Sequence, residues 1–452
     1  MTNLPDDDAL SRRPPLTLLQ KLLYASGHFG FSVLGFGLVA SVRTFYFPGE
    51  KALAGGAAIL IASRSLVGLA LSLGRLTDAI NDPLIGYFSD RLRSRFGRRK
   101  PFIVGSIIPF IVLYLLVWFP PFGTDSGLNF AYLVSVLVLL YIAYTAYCGP
   151  YLALLPEIAG TEQERVSLAS LQGLFNVLGI LVGAAGGAVL IPMIGYPGTG
   201  IALAGIAFVS FWLPVLGPGE GRRQATASAF GFREALLLTL RNKPFLVYVI
   251  GFLGFWTGLL TLVANLDDIG QSLLGLEEGE GLYLVALPLL TGMACLPLAA
   301  KLATARGTKW AMVLSMGAFS VVMLLMVTVG MFGDERTALC QMAVLCVLAG
   351  PGVAGLFALP YALLASITDA DERACGERRE AMFFGVQGMV LKAGWGLAPL
   401  VGGLLMDNLG GTATHPLGLH LTGPVAAAFA LVGLLVLRTF PEPPDREEHV
   451  AV

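Results

Sequence analysis

The sequence predicts an all-α polytopic membrane protein with twelve transmembrane helices in two pseudo-symmetric six-helix bundles, and three observations carry that expectation. Charge is scarce: 56% of the 452 residues are hydrophobic and 13% charged, where a soluble chain carries about a quarter charged residues. The deficit is spread as repeated apolar runs of roughly 20 residues, each long enough to cross a hydrocarbon core. The basic residues gather on alternate connections, as the sidedness of a membrane chain demands.

Taken in order, the first six spans are expected at about 22–47, 57–88, 101–121, 129–155, 167–191 and 199–218. The second six are expected at about 243–268, 281–301, 310–332, 338–366, 382–407 and 419–440. Unpaired backbone amides are not tolerated in lipid and period-2 patterning is absent, so these runs must be helices. The polar stretch GEGRRQATASAFGFREALLLTLRN divides the set six and six. The organisation is then an N-terminal tail (1–21), a bundle (22–218), a central loop (219–242), a second bundle (243–440) and a C-terminal tail (441–452).

Orientation follows from the 29 Lys and Arg. Lys51 and Arg336 fall on one side, and Arg43, Arg64, Arg75 and Lys392 lie within spans; the others collect in or beside the even-numbered loops and the tails. Both termini and the central loop are therefore expected in the cytoplasm. The loop after span 2, GYFSDRLRSRFGRRKP, has a worn counterpart after span 8, AKLATARGTKW. Matching loops after the second helix of each half point to an internal duplication, as in many carriers. Gly97 would permit a tight turn while the arginines cap helix ends and pair with Asp90.

Span 2 contains GRLTDAINDPLIG, which places Arg75, Asp78, Asn81 and Asp82 in one apolar helix. Arg75, Asp78 and Asp82 share a face by their i, i+3 and i+4 spacing. Ionised side chains at that depth are costly, face the bundle interior and mark ion or substrate paths. Two carboxylates this close need a shared proton or an intervening cation. Asn81 adds a neutral oxygen, and Pro83 frees a backbone carbonyl about one turn back. Arg75 could instead merely neutralise Asp78, but that leaves Asp82 unexplained. Lys392, in FFGVQGMVLKAGWGLAPL, is too far from either end of span 11 to snorkel and is expected to face the central cavity. Arg43 and Arg64, nearer the external ends, are expected to snorkel.

The stretch DAINDPLIGYFSDRLRSRFGRRKPF and, in the second half, ERREAMFFGVQGMVLKAG resemble the glycoside–pentoside–hexuronide:cation symporters, the melibiose permease-like family within the major facilitator superfamily. The match runs over nearly the whole chain in order and spacing. The resemblance implies the major facilitator fold, with two bundles rocking about a central cavity. It also implies a cation site of two aspartates and an asparagine from helix 2 with a threonine from helix 4. Those positions are Asp78, Asn81, Asp82 and Thr145, and the family's helix-11 lysine matches Lys392. The sugar-binding aspartates of helices 1 and 4 align with Ser32 and Cys148, the helix-4 tryptophan with Leu152, and a helix-5 arginine with Gln172 or Gly173. Serine and cysteine cannot give the bidentate bonds a carboxylate offers to sugar hydroxyls. GPYLALLPEIAGTEQERVSLASL is also similar to the sodium-dependent lysophospholipid symporters. SDRLRSRFGRRKPFI is similar to a loop of sucrose:proton carriers, although that loop is scaffold and identifies cargo poorly.

Arg75, Tyr144, Tyr147, Cys148, Gln172, Asn176, Trp256, Asn265, Gln387 and Trp395 are the further residues expected to reach the cavity. Interhelical packing is as good an explanation for any one of the polar members. His28 is a candidate proton carrier with a structural role as the stronger reading. The acidic stretch LDDIGQSLLGLEEGEG reads as a solvated external loop. No catalytic residue is expected, because the two aspartates share one helix and no GxxxxGKS phosphate loop exists. The expected activity is symport of a small organic solute such as a glycoside with Na+ or H+, without an organic cofactor. The alternatives are a lysophospholipid or other amphiphile carrier, or a receptor on a transporter scaffold. The chain is expected to work as a monomer in the plasma (inner) membrane, with no nucleic-acid partner. Short loops and missing Asn-x-Ser/Thr sites lean towards a bacterial membrane.

Overall fold

The structure is a computed structural model, and it describes residues 15–441 except 49–52, 54–57, 93, 95, 98, 124–125, 160–161, 218–231, 278–279 and 376–379. The described residues form helices and short connections, with no strand among them. In order these are α1 (Leu18–Tyr46), α2 (Arg64–Arg91), α3 (Lys100–Val117) and α4 (Gly127–Ile158). A continuous helical run, Glu162–Leu216, follows and is broken at Gly195, whose φ of 69° and ψ of 175° leave the helical region. We call its limbs, 162–194 and 196–216, α5 and α6. After them come α7 (Phe232–Arg241), α8 (Lys243–Leu273), α9 (Tyr283–Arg306), α10 (Thr308–Leu325), α11 (Glu335–Cys375), α12 (Glu380–Leu409) and α13 (Leu417–Arg438).

All of these except the ten-residue α7 are long enough to span a bilayer. Ten apolar runs qualify by length and composition, one of them, Ser167–Leu216, containing both α5 and α6. The 28-residue α2 is the remaining span, its hydropathy lowered by its own charges. The twelve spans expected from hydropathy are therefore present. Two local differences stand out. The segment 219–242, expected to be loop, contains α7, an amphipathic helix of about three turns that is too short to cross. The bend between spans 5 and 6 is made by a single glycine, because only glycine takes φ near +70° without a Cβ clash.

The helices belong to two compact units. One runs from the N-terminal side to Thr226 and takes in Leu266–Gln271 and Leu276–Tyr283; the other holds the remainder. Within the first unit, α1 packs along the α5–α6 run, α2 along α4, and α3 against both α4 and that run. Within the second, α10 packs on α11 and α13, and α12 on α13. Lipid gives apolar side chains no hydrophobic reason to associate, so close backbone approach at small residues does the packing. A Cβ on Gly183 would stand 2.5 Å from the Val33 carbonyl oxygen of α1, and one on Gly254 2.5 Å from that of Phe429 in α13.

Candidate functional site

The site of interest lies where α2 meets α4. Gly74 opens it: a Cβ there would come within 2.6 Å of the Tyr141 ring, so its absence lets the two helices touch. One residue on, Arg75 is buried, with its guanidinium 4.5 Å from the Tyr141 ring centroid and 5.8 Å from that of Tyr144. Cations over aromatic faces are stabilised most when shielded from water. Arg75 Nη1 then donates to Asp78 Oδ2 at 3.5 Å, one helical turn away.

Asp78 is wholly buried. Its Oδ1 lies 2.5 Å from Thr145 Oγ1 of α4. The same hydroxyl is 2.9 Å from the Tyr141 carbonyl oxygen. A hydroxyl has one proton, so it serves one acceptor at a time and its lone pairs are exposed to the carboxylate side when it serves the backbone. Asn81 and Asp82 sit a turn further along α2 and are half-buried. The Asn81 amide nitrogen is buried without a hydrogen-bond partner. The i, i+3 and i+4 spacing puts Arg75, Asp78 and Asp82 on one face; the first two are buried together and Asp82 is at the edge of that burial. Carboxylate, hydroxyl and amide oxygens set in an apolar wall suit a proton or a hard cation.

Tyr144 is half-buried beside this cluster, its ring edge-on to Phe31 and Phe110 at 6.0 and 5.8 Å. His28 lies tilted on Phe31, 4.1 Å between ring centroids, with Nδ1 buried and without a hydrogen-bond partner. Ser32 Oγ is within 2.9 Å of the His28 carbonyl and 2.7 Å of Asn176 Oδ1. Other expected cavity residues are placed in the packing. Gln172 Nε2 donates to the hydroxyls of Tyr24 and Tyr151 at 3.1 and 3.2 Å. Those tyrosines bond reciprocally to each other's backbone carbonyls. Tyr147 is fully buried, stacked on Tyr151, and Cys148 is buried beside it. Leu152 is exposed at 43%.

In the second unit, Gln387 is buried and donates to the Tyr248 hydroxyl at 2.9 Å. Asn265 is buried and donates to the Thr261 carbonyl. Trp256 and Trp395 form an edge-on pair 6.1 Å apart, with Phe357 against Trp256. Lys392 is half-buried on α12.

Two expectations are corrected. Arg43 and Arg64 do not snorkel. They are 1% and 5% exposed, and both converge on Asp268, Arg43 through Nη2 and Arg64 through Nε at 3.6 Å. Arg64 also lies 4.3 Å over the Phe47 ring. The opening of the acidic stretch is not a solvated loop either: Asp267 and Asp268 are in α8 and buried, with Gln271 donating to Asp267 at 3.0 Å. A carboxylate that finds a guanidinium can be buried, whereas an unpaired one cannot. The signal was the LDDIGQ spacing, which puts Asp267 and Gln271 one turn apart in an apolar run. The acidic GLEEGEG beyond it masked that pattern. Asp90 was expected to pair with loop arginines, but its side chain lies outside the described residues.

A paired set of six-helix halves with buried charge inside the spans is the architecture of a membrane carrier. The chain belongs to the MFS/sugar transport protein family, whose model matches residues 23–441. Its relatives are transporters. It is 23% identical to the isoprimeverose transporter of Lactiplantibacillus pentosus, over 84% of this chain and 78% of that one. It is 24% identical to the sodium-dependent lysophosphatidylcholine symporter 1 of Mus musculus, over 79% of this chain and 71% of the other. A crystal structure of the nucleoside transporter NupG, in a mutant form, shares the fold with a TM-score of 0.67 at 12% identity, covering 94% of this chain and all of that one.

Proposed function

We propose that this protein is a symporter in which Na+ (or H+), as co-transported substrate, binds at Asp78 with Asn81, Asp82 and Thr145. The observation that supports this most is the Asp78–Thr145 contact: an acidic group with no solvent exposure, on the spanning helix α2, facing a hydroxyl on α4. Charge in such a position is expensive and is kept where an ion passes. Arg75, held by two tyrosine rings, neutralises one carboxylate oxygen and leaves the other to the ion and Thr145. Lys392 links the ion to the organic substrate. Coupling requires that the carrier loaded with both reorient more readily than the half-loaded one, so that the ion gradient drives accumulation by alternating access. The cargo is a small organic solute, and a glycoside fits the family and the isoprimeverose-carrying relative. The plasma membrane, with both termini cytoplasmic, fits the distribution of basic residues.

A second cargo, a lysophospholipid, is favoured by one specific arrangement. Ser32, which stands where a sugar-gripping carboxylate is expected, is engaged with the His28 carbonyl and Asn176. Its neighbourhood is aromatic, with Phe31 and Tyr144 at hand. The lysophosphatidylcholine symporter relative is consistent with that chemistry.

Uptake into proteoliposomes under imposed Na+ or proton gradients tests the mechanism, with glycosides and lysolipids offered as competing cargo. Asp78→Asn should abolish gradient-driven accumulation while leaving the protein folded. Normal accumulation in that variant would refute the ion site, and the preferred competitor would decide between the cargoes.

A further inference from the structure

Three helices of the second unit bring aromatic rings together in a corner. Trp256 of α8 and Trp395 of α12 stand 6.1 Å apart at 64°, and Phe357 of α11 stands 6.1 Å from Trp256 at 85°. Rings at such steep angles do not stack, so ring faces are left uncovered. Gly394 lets the corner form: a Cβ there would lie 3.2 Å from Trp256 Cδ1 and 3.0 Å from the Thr257 hydroxyl oxygen. The backbone of α12 therefore comes up against α8 beside the two indoles and holds them in place.

Room lies next to the corner. Tyr361 of α11 stacks on Phe384 of α12, 6.4 Å apart at 13°. Consecutive spans run in opposite directions, so about one turn further along each helix Phe357 comes alongside Gly388. A Cβ on Gly388 would meet nothing within 4 Å. This face is also turned from the bilayer. The exposed apolar residues Met389 and Leu397 share one side of α12. Gly388, Lys392 and Trp395 share another, centred about 130° away, and Lys392 carries a charge that hydrocarbon does not tolerate. On α11, Phe357 lies about half a turn round from the exposed Leu348.

One polar atom in the corner points to a ligand. The Trp256 indole nitrogen is buried without a hydrogen-bond partner, whereas a buried Trp N–H usually has one. An indole N–H only donates, so its complement is an acceptor oxygen. The indole faces carry negative potential, so their complement is a polarised C–H surface rather than a carboxylate. A pyranose ring presents both at once, C–H groups on its face and hydroxyl oxygens at its rim. An acyl chain presents no acceptor. In the first unit, by contrast, Ser32 is engaged with Asn176 and Gln172 with two tyrosines.

We infer that Trp256, Trp395 and Phe357 bind the sugar ring of a pyranoside cargo, with Trp256 Nε1 donating to a hydroxyl oxygen. The inference rests on the reading of the chain as a solute carrier, and it names a glycoside rather than a lysophospholipid as the cargo.

Isothermal titration of the purified full chain in detergent tests it without any gradient. The probes are isoprimeverose, methyl β-D-xylopyranoside, the open-chain polyol xylitol and lysophosphatidylcholine. Both pyranosides should bind saturably, and xylitol, which has hydroxyls but no ring, at least about tenfold more weakly. Trp256→Phe keeps a ring and removes the N–H, and should weaken pyranoside binding about tenfold. Gly388→Leu, whose Cβ has free space, should abolish that binding with no fall in melting temperature. No saturable pyranoside binding by the native protein, xylitol binding as well as the pyranosides, or native affinity in both folded variants would overturn the inference. Uptake into proteoliposomes separates it from the symport reading. Pyranoside binding without gradient-driven uptake would refute symport and leave the aromatic site standing. Gradient-driven pyranoside uptake with native concentration dependence in both variants would refute the site and leave symport standing.

Discussion

Thr145 on α4 sets its hydroxyl 2.5 Å from Asp78 Oδ1 on α2, at a carboxylate with no exposure to solvent. The hydroxyl can turn to the Tyr141 carbonyl at almost no cost in distance, since that oxygen is 2.9 Å away. An arriving cation would then meet oxygen lone pairs from both helices. Thr145→Val keeps the shape and removes those lone pairs. Its Na+ dependence of uptake should shift to about tenfold higher concentration, a change of about 1.4 kcal/mol. Ion-activation curves measured in proteoliposomes check this, and an unchanged curve would remove Thr145 from the site.

Gly74 should matter without touching an ion. A methyl at that position would press on the Tyr141 ring from 2.6 Å, so Gly74→Ala has to move the ring or separate α2 from α4. Either change displaces Arg75, which rests on that ring, and Asp78 with it. Overpacking of this kind costs about 1–3 kcal/mol. The expected result is lowered thermal stability together with weakened coupling, whereas a conventional helix-stabilising effect would raise stability and leave coupling alone.

The Asp268 carboxylate receives two guanidinium groups, from Arg43 and Arg64. Asp268→Asn would strand buried positive charge and should destabilise the protein by about 3–5 kcal/mol. Arg43→Met in the same background should recover part of that loss, because the charge left over is then removed too. Thermal melts of the three variants in detergent form the cycle, and additive effects would show that the contact has little energetic weight.

Gln172 and Gln387 distinguish packing from recognition. Each is buried and bonded to tyrosine hydroxyls. Replacing either by Leu should lower the melting temperature by a few degrees, through about 1 kcal/mol per lost bond, with the cargo concentration for half-maximal uptake unchanged. A rise of tenfold or more in that concentration would place the residue in the substrate path.

Outside the membrane, Asp334 precedes α11, and its carboxyl is held below the ordinary value chiefly by bonds from the Thr337 hydroxyl and backbone amide at 2.6 and 3.0 Å. A depressed carboxylate contributes above its unfolded value and loses that contribution as pH falls through the folded one. Amide exchange over the first turn of α11 should therefore quicken only on acidification, relative to Asp334→Asn, which has no such transition.

The α2–α4 polar cluster, proposed to take the ion, was legible because intramembrane charge is rare enough to read residue by residue: Arg75, Asp78, Asn81 and Asp82 sit in a single apolar run. Thr145 was not legible by that logic, since one hydroxyl among many in apolar helices carries no signal, and only its resemblance to a known position marked it. Tyr147, Gln172 and Gln387 looked like cavity residues because a polar group in a span must face something. Burial shows that what they face is other helices. Arg43 and Arg64 misled for the opposite reason, their position near helix ends matching snorkelling when a distant carboxylate had already claimed them.

By itself the sequence determined the spans, their number and the membrane as solvent, because each rests on local properties: apolar length and backbone self-satisfaction. The tertiary structure decided which polar groups meet. Asp78 with Thr145, and Asp268 with Arg43, are 67 and 225 residues apart along the chain. Pairing over such separations is settled by how helices pack, at glycines that admit a neighbour's backbone, and no periodicity within one helix records which neighbour that is.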